Sequence, residues 1–365
     1  MTKVAIVHEW LSTFGGSERL LVESLQLFPY ADVFALTHFP THFKNTALEG
    51  LKTKTTFLQR IPGVERHYRK LLPFMPYAIE SLNLSQYDLV LSLSHAVAHG
   101  VKTHDRQTHI SYISTPMRYA WHMRDEYLQL HGLTHPFIRF AANGTLNLLR
   151  RWDVFASARS DSLIANSNWT ASHIREAWGR DAHVIYPAVD IDRFTPARQR
   201  EEYYLFVSRL VPYKMGIEIV KAFNLLGFPL VIIGDGPELE HIRGIAKENI
   251  TIMGYQSDAV VTEFMNKAKA FVYMATEDFG IAMVEAQAAG CPVIAYYKGG
   301  ASEIVQDGKT GLLFKEQTSE ALADAILKFE TMNLNSKAAS DNAARFSSDR
   351  FRREFLDHIQ KITSG

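Results

Sequence analysis

The sequence predicts an α/β protein of two doubly wound, Rossmann-like domains facing a cleft, and three observations predict it. Short apolar runs alternate with longer helix-periodic stretches over most of the 365 residues. Such alternation means parallel sheets joined by right-handed crossovers. The runs of the first half end in Gly, Ser, His or Pro, and one polar, proline-bearing stretch, Ala188–Glu202, interrupts the pattern near the middle. A linker belongs there, and the length fits two domains better than one.

Taken in order, the first half places strands at Val4–Val7, Ala31–Leu36, Leu89–Ser92, His109–Ile113 and Ser162–Ala165. Val4–Val7 is too short for a signal peptide, since His8 and Glu9 end it at once, and it reads as a first buried strand. The second half places strands at Tyr204–Val207, Leu230–Ile233, Ile250–Met253, Ala270–Tyr273 and Val293–Ala295. From about Ser347 to Ile362 runs a mixed-charge helix. The expected domains are therefore residues 1–195, 203–346 and a terminal helix at 347–365. Open α/β sheets bind ligands beyond the carboxyl ends of their strands, so the cleft is where chemistry is sought.

Composition narrows the function. Hydrophobic residues make 47% and charged residues 21%, the profile of a globular protein with a full core. Lys plus Arg equals Asp plus Glu at 39 each, which argues against a nucleic-acid partner. Cys291 is the single cysteine, so no intramolecular disulfide forms, and a cytoplasmic location is expected. No run approaches the ~20 apolar residues that a membrane-spanning helix needs.

The strongest local signal is Glu277-Asp278-Phe279-Gly280-Ile281-Ala282-Met283-Val284-Glu285, which follows a strand and opens a helix. Phe279, Gly280 and Ile281 then stand at a helix N-terminus, where free amides and the dipole favour an anion. Glu277 and Glu285 flank that position and can accept hydrogen bonds from sugar and ribose hydroxyls. The plainer alternative makes Glu277 a cap and Glu285 a solvated face residue. A second signal, Ser208-Arg209-Leu210-Val211-Pro212-Tyr213-Lys214, leaves the strand Tyr204–Val207. Arg209 and Lys214 at the cleft end of a sheet can neutralise a diphosphate without a metal, or serve as surface charges.

Together Arg209, Lys214 and the Glu277-x₇-Glu285 element resemble the family-4 retaining glycosyltransferases of the GT-B fold. The resemblance extends to Gly15-Gly16-Ser17-Glu18, Gly234-Asp235-Gly236-Pro237 and Gly299-Gly300 with Glu303. Thr115-Pro116-Met117-Arg118-Tyr119-Ala120-Trp121 looks like a subgroup that builds bacterial O-antigen and exopolysaccharide units, many of them mannosyltransferases. The resemblance implies a nucleotide-sugar donor, first GDP-mannose and next a UDP-sugar, with no cofactor and no metal. It also implies a glycan or polyprenyl-diphosphate-linked acceptor and a terminal helix crossing back to the first domain.

Roles follow by position. Arg209 and Lys214 bind the diphosphate, Glu277 with the amides of Phe279 to Ile281 holds the transferred sugar, and Glu285 binds the ribose. Ser208 belongs to the same loop, Met253 borders the base, and Gly15 and Gly16 approach from the other domain or simply form a tight turn. Gly234-Asp235-Gly236 lacks the third glycine of a dinucleotide fingerprint and reads first as a turn beside the base. Where the family often carries histidine before Thr-Pro, this chain has Ser114. His95 or His8 can take that place at the cleft, with His95 preferred, or both are structural.

Residues 57–82 interleave Arg60, Arg66, His67, Arg69 and Lys70 with Phe57, Leu58, Tyr68, Phe74 and Tyr77. That pattern fits either a peripheral contact with the inner face of the cell membrane or a helix-rich loop packed on the first domain. Other classes with this architecture remain: a phosphorylase, which requires pyridoxal phosphate on a lysine, and a decayed nucleotide-sugar-binding subunit.

Overall fold

The computed structural model describes residues 2–124, 128, 135–197 and 199–364. The chain divides into two units, Met1–Ala188 with Phe351–Gly365, and Val189–Arg350.

Unit 1 runs β1 (Val4–Leu11), α1 (Gly16–Leu27), β2 (Asp32–His38), β3 (Thr53–Thr55), β4 (Leu89–Ser94), β5 (Thr108–Ile113), α2 (Pro136–Ser157), β6 (Ser162–Ala165), α3 (Asn168–Trp178) and β7 (His183–Val184). Its sheet has the order β3-β2-β1-β4-β5-β6-β7, with parallel pairing throughout. Winding reverses between β1 and β4, which creates a crevice at their carboxyl ends.

Every residue of β1 is buried because both faces of this parallel sheet are covered. Val4, Ile6 and Leu11 join one core with Leu20, Leu21, Leu91 and Tyr112, whereas Ala5, Val7 and Trp10 join the other with Leu58, Tyr68, Leu72 and Met75. Four short helical turns, Phe57–Arg60, Val64–His67, Tyr68–Phe74 and Met75–Glu80, supply that second core. Their inner residues are apolar, and Arg60, Arg66, His67, Arg69 and Lys70 all face solvent.

Unit 2 runs β8 (Tyr204–Val207), α4 (Gly216–Leu226), β9 (Leu230–Ile233), α5 (Leu239–Ile245), β10 (Ile250–Ile252), α6 (Asp258–Lys267), β11 (Ala270–Tyr273), α7 (Ile281–Ala288), β12 (Val293–Tyr296), β13 (Gly311–Phe314), α8 (Ser319–Glu330) and α9 (Ser336–Ala343). The strand order is β10-β9-β8-β11-β12-β13, again parallel, with the reversal between β8 and β11. A last helix, α10 (Ser348–Thr363), carries Phe351, Phe355 and Ile359 into the core of unit 1. There Phe351 and Phe355 each meet the Tyr112 ring edge-on at 6.1 Å between centroids.

Two expectations change. The first strand runs on to Leu11, because His8 and Glu9 are buried within the sheet rather than ending it. The stretch expected as a linker holds the boundary, between Ala188 and Val189, but most of it belongs to unit 2, where Arg200 ties it down. Arg200 donates to the carbonyls of Ala268 and Ala289 at 2.7 Å each and to Ser336 Oγ at 3.2 Å. Arg198 of that stretch lies outside the described residues.

Candidate active site

The crevice of unit 2 is built by the loops after β8 and β11, which are neighbours because of the strand order. After β8, the Ser208 amide donates to the Ile233 carbonyl at 3.1 Å and the Leu210 amide to Asp235 O at 2.9 Å. Beneath them a Cβ on Gly234 would come within 1.8 Å of Ser208 O, and one on Gly236 within 2.3 Å of Leu210 O. Only glycine permits this approach, so Gly234-Asp235-Gly236 is a backbone shelf under Arg209. Arg209 itself is exposed, and its guanidinium makes no hydrogen bond or ion pair with the described residues.

Lys214 behaves differently. A short turn, Pro212–Lys214, ends in Met215 at φ 60° before α4 begins. This turns the Lys214 ammonium onto Tyr273 Oη at 3.0 Å and onto Glu277 Oε1. Tyr273 Oη in turn donates to Glu277 Oε1 at 2.6 Å. Burial alone would lower the lysine pKa, but the Glu277 charge and the bonds to Glu277 and Tyr273 outweigh it and raise it. Burial, reinforced by Glu277, holds the Tyr273 phenol well above its ordinary range. An ammonium has three N–H groups, so among the described residues one remains available to a ligand oxygen.

Past Glu277 the chain crosses Phe279 and enters α7 through Gly280, whose φ is 109°. Phe279 is 4% exposed and its ring packs on Phe346, so only its backbone can serve a ligand. The loop is fixed from behind: the Gly300 amide donates to Glu277 O at 2.8 Å. A Cβ on Gly300 would come within 1.8 Å of Phe279 O, so the position requires glycine. Ile281 opens the helix, and its amide and its neighbours' form the free N-terminal end. One turn in, Glu285 is buried and accepts from Arg193 at 2.5 Å. Met253 directly follows β10, its amide bonded to Ile232 O at 2.9 Å.

The corresponding crevice of unit 1 carries buried, mostly uncharged polar groups. Glu9, fully buried, accepts on Oε1 from the amides of His95, Ala96, Val97 and Ala98 at 2.7–3.0 Å and from Ser94 Oγ at 2.9 Å. Ser94 continues to His99 Nδ1 at 3.1 Å, and His99 Nε2 lies 3.4 Å from Asp153 Oδ1. Asp153 holds the indole N–H groups of Trp121 and Trp178 at 2.7 and 2.6 Å. Burial pushes the Asp153 carboxyl up to about 7 and the His99 imidazole down to about 4. His95 sits edge-on to Trp10 at 4.8 Å, its pKa lowered to about 3 by burial and then by His8, Arg118 and Arg69.

Gly15 and Gly16 open α1, and the Gly15 amide is already taken by Glu18 Oε2 at 3.0 Å. That bond is the reach-back half of a capping box, so this amide reaches a ligand only if Glu18 releases it. Burial pushes Glu18 up to about 7, and its Oε1 lies 4.0 Å from His8 Nε2.

Of the residues singled out in sequence, Lys214 and Glu277 meet directly and share Tyr273, with Phe279, Gly280 and Ile281 following on the same loop. Arg209 stays apart as an exposed charge. Glu285 is neither solvated nor unpaired. The sequence reading passed over Tyr273, Arg193 and Glu9. Tyr273 could have been found as the last residue of a strand four positions before Glu277. Arg193 gave no signal beyond a basic residue in a polar run.

Comparison with known proteins follows the same division. A family described as Glycosyltransferase Family 4 matches residues 15–193, and one described as Glycosyl transferases group 1 matches residues 189–346. The GDP-mannose-dependent alpha-(1-6)-phosphatidylinositol monomannoside mannosyltransferase of Mycobacterium tuberculosis is 33% identical over 216 residues, 48% of this chain and 56% of the relative. An uncharacterised glycosyltransferase of Methanocaldococcus jannaschii is 30% identical over 60% of this chain and 62% of its own length. The matches therefore span little more than half of these curated relatives. HepE of Anabaena, solved with UDP and glucose, superposes with a TM-score of 0.70 at 18% identity, covering 99% of this chain and all of that one. Sucrose-phosphate synthase of Thermosynechococcus elongatus gives 0.74 at 16% identity, covering both chains fully. At such identities the likeness shows the fold, which is GT-B.

Proposed function

The chain belongs to the family-4 glycosyltransferases, and from that premise we propose that it moves a hexosyl group from a nucleotide diphosphate to a glycan or lipid-linked acceptor. GDP-mannose is the first-choice donor, as in the name of the mycobacterial relative, and UDP-sugars stand next. Bacterial surface polysaccharide is the proposed product, made at the inner face of the cell membrane, with residues 57–82 towards the lipid.

The observation that carries this reading is the Lys214 ammonium, held by Tyr273 and Glu277 where the unit 2 sheet reverses. Its remaining N–H and the exposed Arg209 guanidinium supply positive charge to a diphosphate, and the amide end of α7 adds a helix dipole of the same sign. Glu277 accepts from hydroxyls of the transferred sugar, Glu285 from the ribose, and the loops at Ser208 and Met253 border the nucleotide. In the proposed reaction the bond from the sugar's anomeric carbon to the phosphate oxygen breaks. The acceptor oxygen bonds to the same face of that carbon, and its proton passes to the departing phosphate. Configuration is thereby retained. Charge accumulating on the leaving group is stabilised by Arg209 and Lys214 in place of a divalent cation. His95 serves the acceptor side, and Gly15 and Gly16 serve the phosphate or sugar of the donor.

Losing one such cation costs roughly 2–4 kcal/mol of barrier. Arg209→Ala and Lys214→Ala are each expected to lower turnover at least about 100-fold while the protein still folds. Near-wild-type turnover in both variants contradicts the assignment. Donor binding without any transfer in the wild type would make the chain a nucleotide-sugar-binding subunit.

A further inference from the structure

Residues 306–310 lead directly into β13, so they stand at the amino edge of the unit 2 sheet, at the far end from the crevice beyond its carboxyl ends. With α9 they wall a cavity of about 350 Å³. That volume suits a small molecule. None of its lining residues belongs to the loops after β8 and β11.

The floor of the cavity is fixed. Asn342, buried on α9, donates through Nδ2 to Gln287 Oε1 at 2.5 Å and to the Ile304 carbonyl at 2.7 Å. Its Oδ1 accepts from Gln306 Nε2 at 2.8 Å and from Arg345 Nη1 at 3.0 Å. The Arg345 guanidinium also lies over the Phe346 ring, 5.1 Å from the centroid. Arg345 is thereby held in place before any ligand arrives. A guanidinium carries five N–H groups, and among the described residues only Asn342 engages one of them.

Charge names the ligand. Lys309 lines the same cavity, and its ammonium makes no hydrogen bond or ion pair with the described residues. Lys337 is tied to Asp341, the one carboxylate in the lining, at 2.8 and 2.9 Å. That pair cancels itself and leaves the charges of Lys309 and Arg345 unanswered. A phosphate monoester brings close to two negative charges at neutral pH, with oxygens that match a guanidinium fork. A carboxylate would answer only one cation. The cavity is larger than a phosphate, and Gln306 and Asn335 bring side-chain amides to hydroxyl groups. Among the described residues no aromatic ring lines it to receive a nucleobase, and its one apolar residue is Ala338.

We propose that this cavity binds the phosphate monoester of a small sugar, with Arg345 and Lys309 on the phosphate and Gln306 and Asn335 on the hydroxyls. The inference does not depend on the donor chemistry, which resides at the other end of the sheet.

Titration calorimetry of the full chain with mannose 6-phosphate, inorganic phosphate and mannose tests it. Wild type is expected to bind mannose 6-phosphate, to bind inorganic phosphate at least about fivefold more weakly, and to ignore mannose. Lys309→Ala combined with Arg345→Gln should weaken mannose 6-phosphate at least about tenfold, since both charge-assisted contacts are lost. Lys309→Ala alone, at an exposed side chain without a partner, should keep the calorimetric melt and weaken binding at least about threefold. Arg209→Ala, in the donor crevice, should leave this affinity as it was. The proposal is overturned if wild type does not bind mannose 6-phosphate, or if the cavity variants bind it like wild type. Loss of binding in Arg209→Ala would also overturn it, by assigning the phosphate to the donor crevice. Inorganic phosphate bound as tightly as the sugar phosphate would overturn it too, by assigning the cavity to the free ion.

Discussion

The two units reverse their winding at the same place, between β1 and β4 in one and β8 and β11 in the other, yet the crevices hold opposite chemistry. In unit 1 the groups at the reversal are sealed. Glu9 is spent on four amides, and burial keeps His8, His95 and His99 uncharged. In unit 2 the charges remain live, with Lys214 retaining a donor and Arg209 in the open. One topology thus states where a ligand can lie, and the side chains state which ligand. The second crevice offers positive charge, while the first offers buried groups that are mostly paired with one another.

Glu9→Ala is the largest way to break that contrast. It leaves several amides unpaired in a site without water access and should destabilise unit 1 by about 3 kcal/mol or more. All five tryptophans lie in unit 1, so the fluorescence melt reports that unit alone. A melt unchanged by the substitution would show that Glu9 is not what holds the β4 loop.

Next comes pH. In unit 1 burial lowers His8, His99 and His109 to about 4 and His95 to about 3, and raises Glu18 and Asp153 to about 7. Between those values unfolding takes up a proton at each of the four histidines and releases one at each of the two carboxyls, a net uptake of two. Stability of unit 1 should therefore fall as pH falls from about 6.5 towards 4.5, by roughly 2.7 kcal/mol per pH unit. Unit 2 has one histidine, His241, which is exposed, so its melt should move less over the same range. Tryptophan fluorescence against calorimetry resolves the two, and equal acid sensitivity would erase the distinction.

The smallest effect sharpens unit 2. Arg193 holds Glu285, the proposed ribose ligand, so Arg193→Ala should lower the preference for a ribonucleoside over a 2′-deoxynucleoside diphosphate by about five- to tenfold. Added to Glu285→Ala it should cost nothing more. Additive losses in titration calorimetry would separate the two residues.

Much of this was legible from residues alone. Strands in parallel sheets are short apolar runs, so Ser162–Ala165, Tyr204–Val207, Leu230–Ile233 and Ala270–Tyr273 were readable to the residue. Polarity hid the end of β1, because a buried Glu9 looks like a strand terminator until its amide partners are known. Thr53–Thr55 and His183–Val184 are edge strands too short and polar to register. At the site, Lys214 and Glu277 could be placed on neighbouring loops. Their direct pairing, the Tyr273 bridge and the Arg193 partner of Glu285 could not, since each depends on how distant segments pack. The cavity beside α9 was unreadable for a related reason. Lys309 and Arg345 look like solvated charges, and only packing shows that they line one cavity.

The central claim is that Arg209 and Lys214 bind a diphosphate without help from a divalent cation. Titration calorimetry of GDP and UDP, each against its monophosphate, in the presence of EDTA tests it most directly. The account predicts that wild type keeps a diphosphate preference in EDTA, and that Arg209→Ala and Lys214→Ala each reduce it at least about tenfold, or 1.4 kcal/mol. A diphosphate affinity untouched by either substitution, or one that vanishes when divalent ions are removed, would contradict it.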